Sequence, residues 1–170
     1  MRMLIRVALP TLALAAILAS NAGAAREIVY KGKLSPAQEV ADPPVDSNAK
    51  GKAELRFHDA IRCTVSITCE KIDNVISAHL HIGARGVNGP IVATIYNGAG
   101  VPTGRINGHL ASRTITQNDL AMLPANTIEG LLAELDAGNI YVNVHTTDFP
   151  SGEVRGQMKH ASGGGGGLGH

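Results

Sequence analysis

Aromatic residues are scarce in this chain: its 170 residues include no tryptophan, and Phe, Trp and Tyr together make up 3%. A hydrophobic core must therefore be built mainly from Val, Ile, Leu and Ala. With only two cysteines, the chain is not a disulfide-rich scaffold. Neither sign of charge dominates, with 15 Lys+Arg against 14 Asp+Glu. This balance gives no electrostatic reason to bind nucleic acid or an anionic membrane.

The one long apolar run lies near the N terminus, where residues 7–18 follow Arg2 and Arg6 and precede the small residues 22–25. This pattern predicts a secretory signal peptide over residues 1–25. The run is shorter than the roughly 20 apolar residues that span a bilayer, and no later segment approaches that length. We therefore expect a secreted protein, periplasmic or extracellular, that does not insert into a membrane after signal cleavage.

The rest of the chain is long enough for one domain with its own core, which we expect over residues 26–160. The glycine-rich segment 161–170 cannot bury apolar surface, so a disordered tail is expected there.

Short segments of alternating apolar and polar residues predict a mainly β protein, an antiparallel sandwich or barrel. One or two short helices are expected as well, because Thr116 to Asp119 resembles a capping box and Ile128, Leu131, Leu132 and Leu135 have helical spacing. The predicted strands are 27–34, 53–57, 62–69, 75–82, 91–96 and a hairpin of 140–146 with 153–158.

Cys63 and Cys69 fall on the same face of the strand predicted over 62–69. In one straight strand their Cα atoms would be about 20 Å apart, which is beyond the reach of a disulfide. We interpret them as small apolar core residues, while a pairing through a bend or with another chain stays open.

Three histidines suggest a metal site. His79 and His81 are one residue apart and so point to the same face of a strand, and His145 lies on the corresponding polar face of a second predicted strand. Neutral imidazoles are good ligands for copper and zinc, and three of them leave a coordination position open. His109 is a further candidate for a fourth ligand. The alternative is that all three are solvated strand histidines.

Two sequence motifs resemble the CHRD domain: Ala-His-Leu-His-Ile-Gly at 78–83 with Gly-Pro-Ile-Val at 89–92, and Gly-Asn-Ile-Tyr-Val-Asn-Val-His-Thr at 138–146 ending in Pro-Ser-Gly-Glu-Val-Arg-Gly-Gln at 150–157. That family is named after chordin and is common as a single secreted domain in bacteria. The resemblance extends from about Glu27 to Lys159.

A second resemblance bears on chemistry. His79, His81 and His145, the last followed by Asp148 and Gly152, are similar to the copper-ligand segments of copper/zinc superoxide dismutases, which are Greek-key β-barrels. It implies a Greek-key sandwich or barrel of the superoxide dismutase-like or immunoglobulin-like type, and it favours copper over zinc. The chain lacks that enzyme's histidine-rich zinc loop and an evident bridging histidine.

These observations lead to three functional hypotheses. The first is a secreted protein that binds one copper or zinc ion through His79, His81 and His145, in metal handling or redox defence. The second is a metal-free module that binds another extracellular protein or associates with itself. The third is a superoxide dismutase-like redox enzyme. No residue is assigned a catalytic role.

Overall fold

The protein is formed by two antiparallel sheets. Its computed structural model describes residues 27–99, 101 and 103–161. The predicted signal peptide and nearly all of the predicted tail lie outside these residues. The five-stranded sheet has the order β6-β3-β2-β1-β9, and the four-stranded sheet has the order β5-β4-β7-β8. The strands are β1 (Ile28–Leu34), β2 (Lys50–Asp59), β3 (Arg62–Asp73), β4 (Val75–Ile82), β5 (Ile91–Asn97), β6 (Arg105–Thr116), β7 (Ile140–Thr146), β8 (Val154–Gln157) and β9 (Lys159–His160).

The predicted β-sandwich is confirmed, and its core lies between the two sheets. In β3, alternate residues are fully buried because one face of the strand points to the opposite sheet: Val65 and Ile67 are both 0% exposed. Cys63 and Cys69 share this face as buried free thiols, which confirms their interpretation as core residues. Burial raises the pKa of each thiol to about 12, so both stay protonated.

The strand β6 was not predicted from the sequence. Its exposed Asn107 and His109 and the positive φ of Gly108 interrupt the apolar alternation that marks the other strands. It nevertheless pairs with β3 over most of its length, after β4 and β5 have formed a hairpin in the other sheet. The chain thus leaves β3, forms the β4–β5 hairpin in the other sheet, and returns to pair with β3. Such a path is typical of Greek-key connections.

The helical predictions are confirmed as a single turn and one short helix. Thr116 and Asp119 form a capping box around the 3₁₀ turn Gln117–Asp119, and the helix α1 spans Ile128–Asp136. The Thr127 Oγ1 accepts a hydrogen bond of 3.0 Å from the backbone N–H of Gly130, which caps α1. No helix among the described residues is both long and apolar enough to cross a membrane.

The outer face of the four-stranded sheet is covered by irregular segments. The connection between β1 and β2, which includes the 3₁₀ turn Pro36–Gln38, crosses toward the loop 83–90 and bonds to it: Asn88 Nδ2 donates to the Val40 carbonyl at 3.0 Å. The same connection reaches the β7–β8 turn, where Ser47 Oγ donates to Glu153 Oε1 at 2.6 Å. Polar residues on this face are therefore partly or fully removed from water.

Candidate metal centre

The strands that carry the three histidines are neighbours. β4 and β7 pair antiparallel, and in this register His79 lies opposite Asn143, while Ser77 lies opposite His145. His79, His81 and His145 therefore project from adjacent strands onto the same outer face. The sequence predicted this face correctly, but only the register shows that the rings meet.

The three imidazoles form a compact group, which we call the histidine cluster. The ring centroid of His79 lies 4.9 Å from that of His145 and 5.7 Å from that of His81, and the third centroid distance is 6.2 Å. One nitrogen of each ring lies within 4.8 Å of the corresponding nitrogens of the other two. Three nitrogens about 2.0–2.1 Å from a shared ion are at most about 4 Å apart, so small side-chain shifts bring them to one ion.

Hydrogen bonds fix the orientation of two of the rings. His81 Nδ1 lies 2.9 Å from the Gly89 carbonyl and His145 Nδ1 lies 3.0 Å from the Pro150 carbonyl. A carbonyl oxygen only accepts, so each Nδ1 carries the proton and each Nε2 is left with a free lone pair. Backbone acceptors hold metal-ligating histidines in this way in many proteins.

The remaining nitrogens of the cluster have no partner. The Nε2 atoms of His81 and His145 and the Nδ1 atom of His79 are buried without a hydrogen bond. A buried polar atom left unpaired costs about 1–3 kcal/mol, and three of them in one place call for an explanation. The cluster could hold a metal ion, which would give these nitrogens a partner.

The cluster is held in the neutral form that coordination requires. Burial lowers the pKa of His79 to about 4, and the neighbouring His145 and His81 add to this effect. Burial also lowers the pKa of His81 and of His145, against the opposing effect of their backbone hydrogen bonds. Each ring therefore keeps one free lone pair over the neutral pH range, and in His81 and His145 this lone pair is on Nε2.

Arg155 and Tyr141 support the cluster from one side, and Tyr141 was not assigned a role in a metal site from the sequence. The Tyr141 ring stacks on the His81 ring with centroids 4.9 Å apart and planes at 8°. The guanidinium carbon of Arg155 lies 3.5 Å from the Tyr141 ring centroid, a cation–π contact. The only sequence signal for this arrangement is the alternation that places Tyr141 on the same face as His145.

Arg155 also ties down the loop that supplies the acceptor for His81. It is 1% exposed, and its Nη2 donates to the Val87 carbonyl at 2.8 Å and to the Ala84 carbonyl at 3.3 Å. The Tyr141 hydroxyl accepts a hydrogen bond of 3.0 Å from the backbone N–H of Gly89. The loop that orients His81 is thus anchored by these two side chains.

Glu39 and Asn143 contribute two more unpaired atoms beside the cluster. Asn143 Nδ2 donates to Glu39 Oε2 at 3.3 Å, while Glu39 Oε1 and Asn143 Oδ1 are buried without partners. Burial raises the pKa of Glu39 to about 7, although Arg155 and Asn143 oppose the shift. The carboxyl is therefore partly protonated at neutral pH.

The other histidines of the described chain lie elsewhere. His109, the candidate fourth ligand, is exposed on β6 of the five-stranded sheet opposite Thr68 and does not join the cluster. His58 is exposed near the end of β2, and His160 is exposed on β9, where its ring packs edge-on against Tyr30.

A comparison with protein families supports the first sequence resemblance. The family model described as CHRD domain matches residues 30–158, which include both sheets and all three clustered histidines. No curated protein matches the chain.

Proposed function

Because the chain belongs to the CHRD domain family, a family of extracellular-type modules, we propose that it is a secreted protein that binds one copper ion through His79, His81 and His145. One observation carries the proposal: each of the three rings brings one nitrogen within 4.8 Å of a nitrogen of the other two, and each ring has a buried nitrogen without a hydrogen bond. Metal handling or redox defence outside the cytoplasm is the role that such a site supports.

Copper is favoured over zinc by the donor set. Copper(II) binds a given set of nitrogen ligands more tightly than zinc does, and imidazole suits both metals. Three neutral rings add no negative charge, and they leave a position open for water or a small ligand. Copper held there would supply one-electron redox chemistry.

Each supporting residue has a defined task in this proposal. The Gly89 and Pro150 carbonyls keep a proton on Nδ1 of His81 and His145, so that Nε2 faces the ion. The Tyr141 ring stacks on the His81 ring and fixes its orientation, and Arg155 anchors the loop 83–90. Burial excludes protons from the ligands at neutral pH.

A metal-free interaction module is the second candidate. It is favoured by the edge strand β5, where the Ile91 side chain is 44% exposed, and by Val87 in the adjacent loop, which is 53% exposed. Exposed apolar side chains at an edge can contact another chain, whereas the Val92 and Thr94 carbonyls of this edge already accept hydrogen bonds from the Ala121 N–H and from Arg113.

Metal counting tests the first candidate. The mature chain, prepared without an affinity tag, is dialysed against Cu(II) or Zn(II), and bound metal is measured by elemental analysis. We expect about one ion per chain for the wild type and for His109→Ala, the matched surface control, and substantial loss for His79→Ala, His81→Ala and His145→Ala. Equal stoichiometry in all five proteins contradicts the proposal. A superoxide assay on the loaded protein then separates a carrier from a redox enzyme.

A further inference from the structure

A cavity of about 580 Å³ lies at one end of the sandwich and shares no residue with the histidine cluster. Its lining comes from the segment before β2, the end of β3, the start of β6 and the β7–β8 turn. Its volume falls within the range of roughly 300–1,000 Å³ that is typical of small-molecule sites. The cavity is therefore large enough for a small organic ligand.

Negative charge predominates in the lining. Four carboxylates lie with two cationic side chains, which gives the lining a formal net charge of −2: Asp46, Asp73, Asp148 and Glu153 against Lys71 and Arg105. Asp73 and Arg105 pair with each other at 2.9 Å. Among the described residues, none of the other three carboxylates forms an ion pair within 4.0 Å. The lining therefore favours a cationic ligand.

Glu153 is the most buried charged side chain of the lining. It is 6% exposed, and the Ser47 Oγ donates a hydrogen bond of 2.6 Å to its Oε1. Its Oε2 has no hydrogen-bond partner among the described residues and is not enclosed by protein atoms, so it opens to the cavity. A buried carboxylate without a cationic partner costs free energy. A cation in the cavity would remove this cost.

The spacing of the carboxylates argues against a single metal ion. In the described part of the chain, only the histidine cluster brings three or more ligand atoms of His, Cys, Asp or Glu within 4.8 Å of one another. The carboxylates of the cavity are therefore too far apart to surround one ion. Phe149 also lines the cavity and is half-buried, so it offers an apolar surface to an organic ligand.

We propose that this cavity binds an aliphatic diammonium compound, with one ammonium group paired with Glu153 and the methylene chain packed on Phe149. The second ammonium group lies toward the exposed carboxylates of Asp46 and Asp148. A dication matches the net charge of the lining, and its two separated charges suit carboxylates that do not converge on one point.

The chain offers a matched control for Glu153. Glu153→Gln removes the charge but keeps an oxygen that accepts the hydrogen bond from Ser47. Glu129 is exposed on α1 and does not line the cavity, so Glu129→Gln makes the same change in net charge at a distant position. Lys71→Gln should have the opposite effect on binding, because it removes a positive charge from the lining.

Calorimetric titration of the full mature protein, freed of metal by a chelator, with 1,4-diaminobutane tests the proposal. We expect saturable binding of one molecule per chain, weakened at least about tenfold by Glu153→Gln and less than about twofold by Glu129→Gln. Lys71→Gln should strengthen binding by about twofold or more. Butylamine, which carries one charge, should bind at least about tenfold more weakly than the diamine.

A second variant keeps the test decisive if Glu153→Gln does not fold, which thermal unfolding shows. The double variant Asp46→Asn/Asp148→Asn changes only exposed side chains and should weaken diamine binding by at least about threefold. Unchanged affinity in this variant contradicts the proposal.

Three further results overturn it. The first is no saturable binding, or binding that Glu153→Gln and Glu129→Gln weaken equally. The second is displacement of the diamine by calcium at a lower concentration, which would make the cavity a metal site. The third is binding of a lysine-rich peptide without binding of the free diamine, which would assign the carboxylates to a protein-docking surface. None of these results bears on the histidine cluster, whose metal content is measured separately.

Discussion

The guanidinium carbon of Arg155 lies 3.5 Å from the centre of the Tyr141 ring, and the same ring stacks on His81. Arg155 is the largest of the fully buried side chains, and burial lowers the pKa of its guanidinium without discharging it. Among the described residues no carboxylate lies within 4.0 Å of it, so backbone carbonyls, an asparagine and an aromatic ring replace the usual ion pair.

Replacing Arg155 with lysine should therefore destabilise the folded protein. A lysine side chain cannot make all of these contacts at once, namely the stacking on Tyr141 and the hydrogen bonds to Asn88 and Val87. We therefore expect a loss of about 2–4 kcal/mol in the free energy of unfolding. Urea unfolding measures the loss. The control is Arg105→Lys, since the ion pair of Arg105 with Asp73 is exposed and should be worth less than about 1 kcal/mol. Similar losses for the two variants would show that the buried contacts of Arg155 contribute no more to stability than the exposed ion pair of Arg105.

The sequence predicted the faces of the strands better than their burial. Alternation along β4 and β7 correctly placed His79, His81 and His145 off the core, because side-chain direction in a strand depends only on local geometry. It did not show that His81 would be 8% exposed and Tyr141 2% exposed. Both residues are covered through tertiary contacts: the rings stack on each other, Arg155 lies over Tyr141, and the loop 83–90 bonds to both through Gly89. Alternation along a strand carries no information about such contacts.

The convergence of the histidines was a hypothesis from the sequence that local pattern alone could not establish. Two polar strand faces meet only if the strands are neighbours in a sheet, and this depends on contacts between distant parts of the chain. The register that places Ser77 opposite His145 and His79 opposite Asn143 is what brings the three rings together. The sequence therefore supplied the three candidate ligands, whereas their contact depends on the tertiary pairing of β4 with β7.

Glu39 should make the stability of the protein depend on pH. Its folded-state pKa of about 7 lies above the ordinary value of 4.5, so its contribution to stability is fully present below about pH 4.5 and is lost as the pH rises through 7. The charged groups near it are Arg155 and Arg85, which line the same small cavity. Glu39→Gln should therefore be more stable than the wild type at pH 8, by on the order of 1–2 kcal/mol after allowance for solvent screening.

Urea unfolding at pH 5 and pH 8 measures this difference. The exposed Glu129 provides the control, because Glu129→Gln should change stability by less than about 0.5 kcal/mol at either pH. A Glu39→Gln variant whose advantage over the wild type is the same at both pH values would contradict the prediction.

Metal binding should resist acid better than the ordinary pKa of histidine suggests. Burial lowers the pKa of all three ligands, that of His79 to about 4, so protons compete with the metal only at low pH. We expect zinc affinity, measured by competition with a chromophoric chelator, to change little between about pH 8 and 6 and to fall below that range. Circular dichroism at each pH confirms that the protein is folded. A steep fall that begins near pH 7 would show that the ligands titrate as exposed histidines do.

Gly152 should tolerate no side chain, because it lies against the residues beside the cluster. Its φ is +130°, and an added Cβ would lie 2.6 Å from both terminal atoms of the Asn143 side chain and 2.8 Å from Glu39 Oε2. We expect Gly152→Ala to lower the free energy of unfolding by roughly 2–3 kcal/mol and to weaken metal binding, since Asn143 lies opposite His79.

Two variants separate backbone strain from the steric clash at Gly152. Gly86 also has a positive φ, +78°, but a Cβ there would meet nothing within 4 Å, so Gly86→Ala should cost only about 1 kcal/mol. Asn143→Ala removes the group that clashes, so Gly152→Ala should cost less in that background than in the wild type. If the two costs are equal, the contact with Asn143 is not what requires glycine at this position, and the requirement comes from the backbone conformation of Gly152 or from its contact with Glu39.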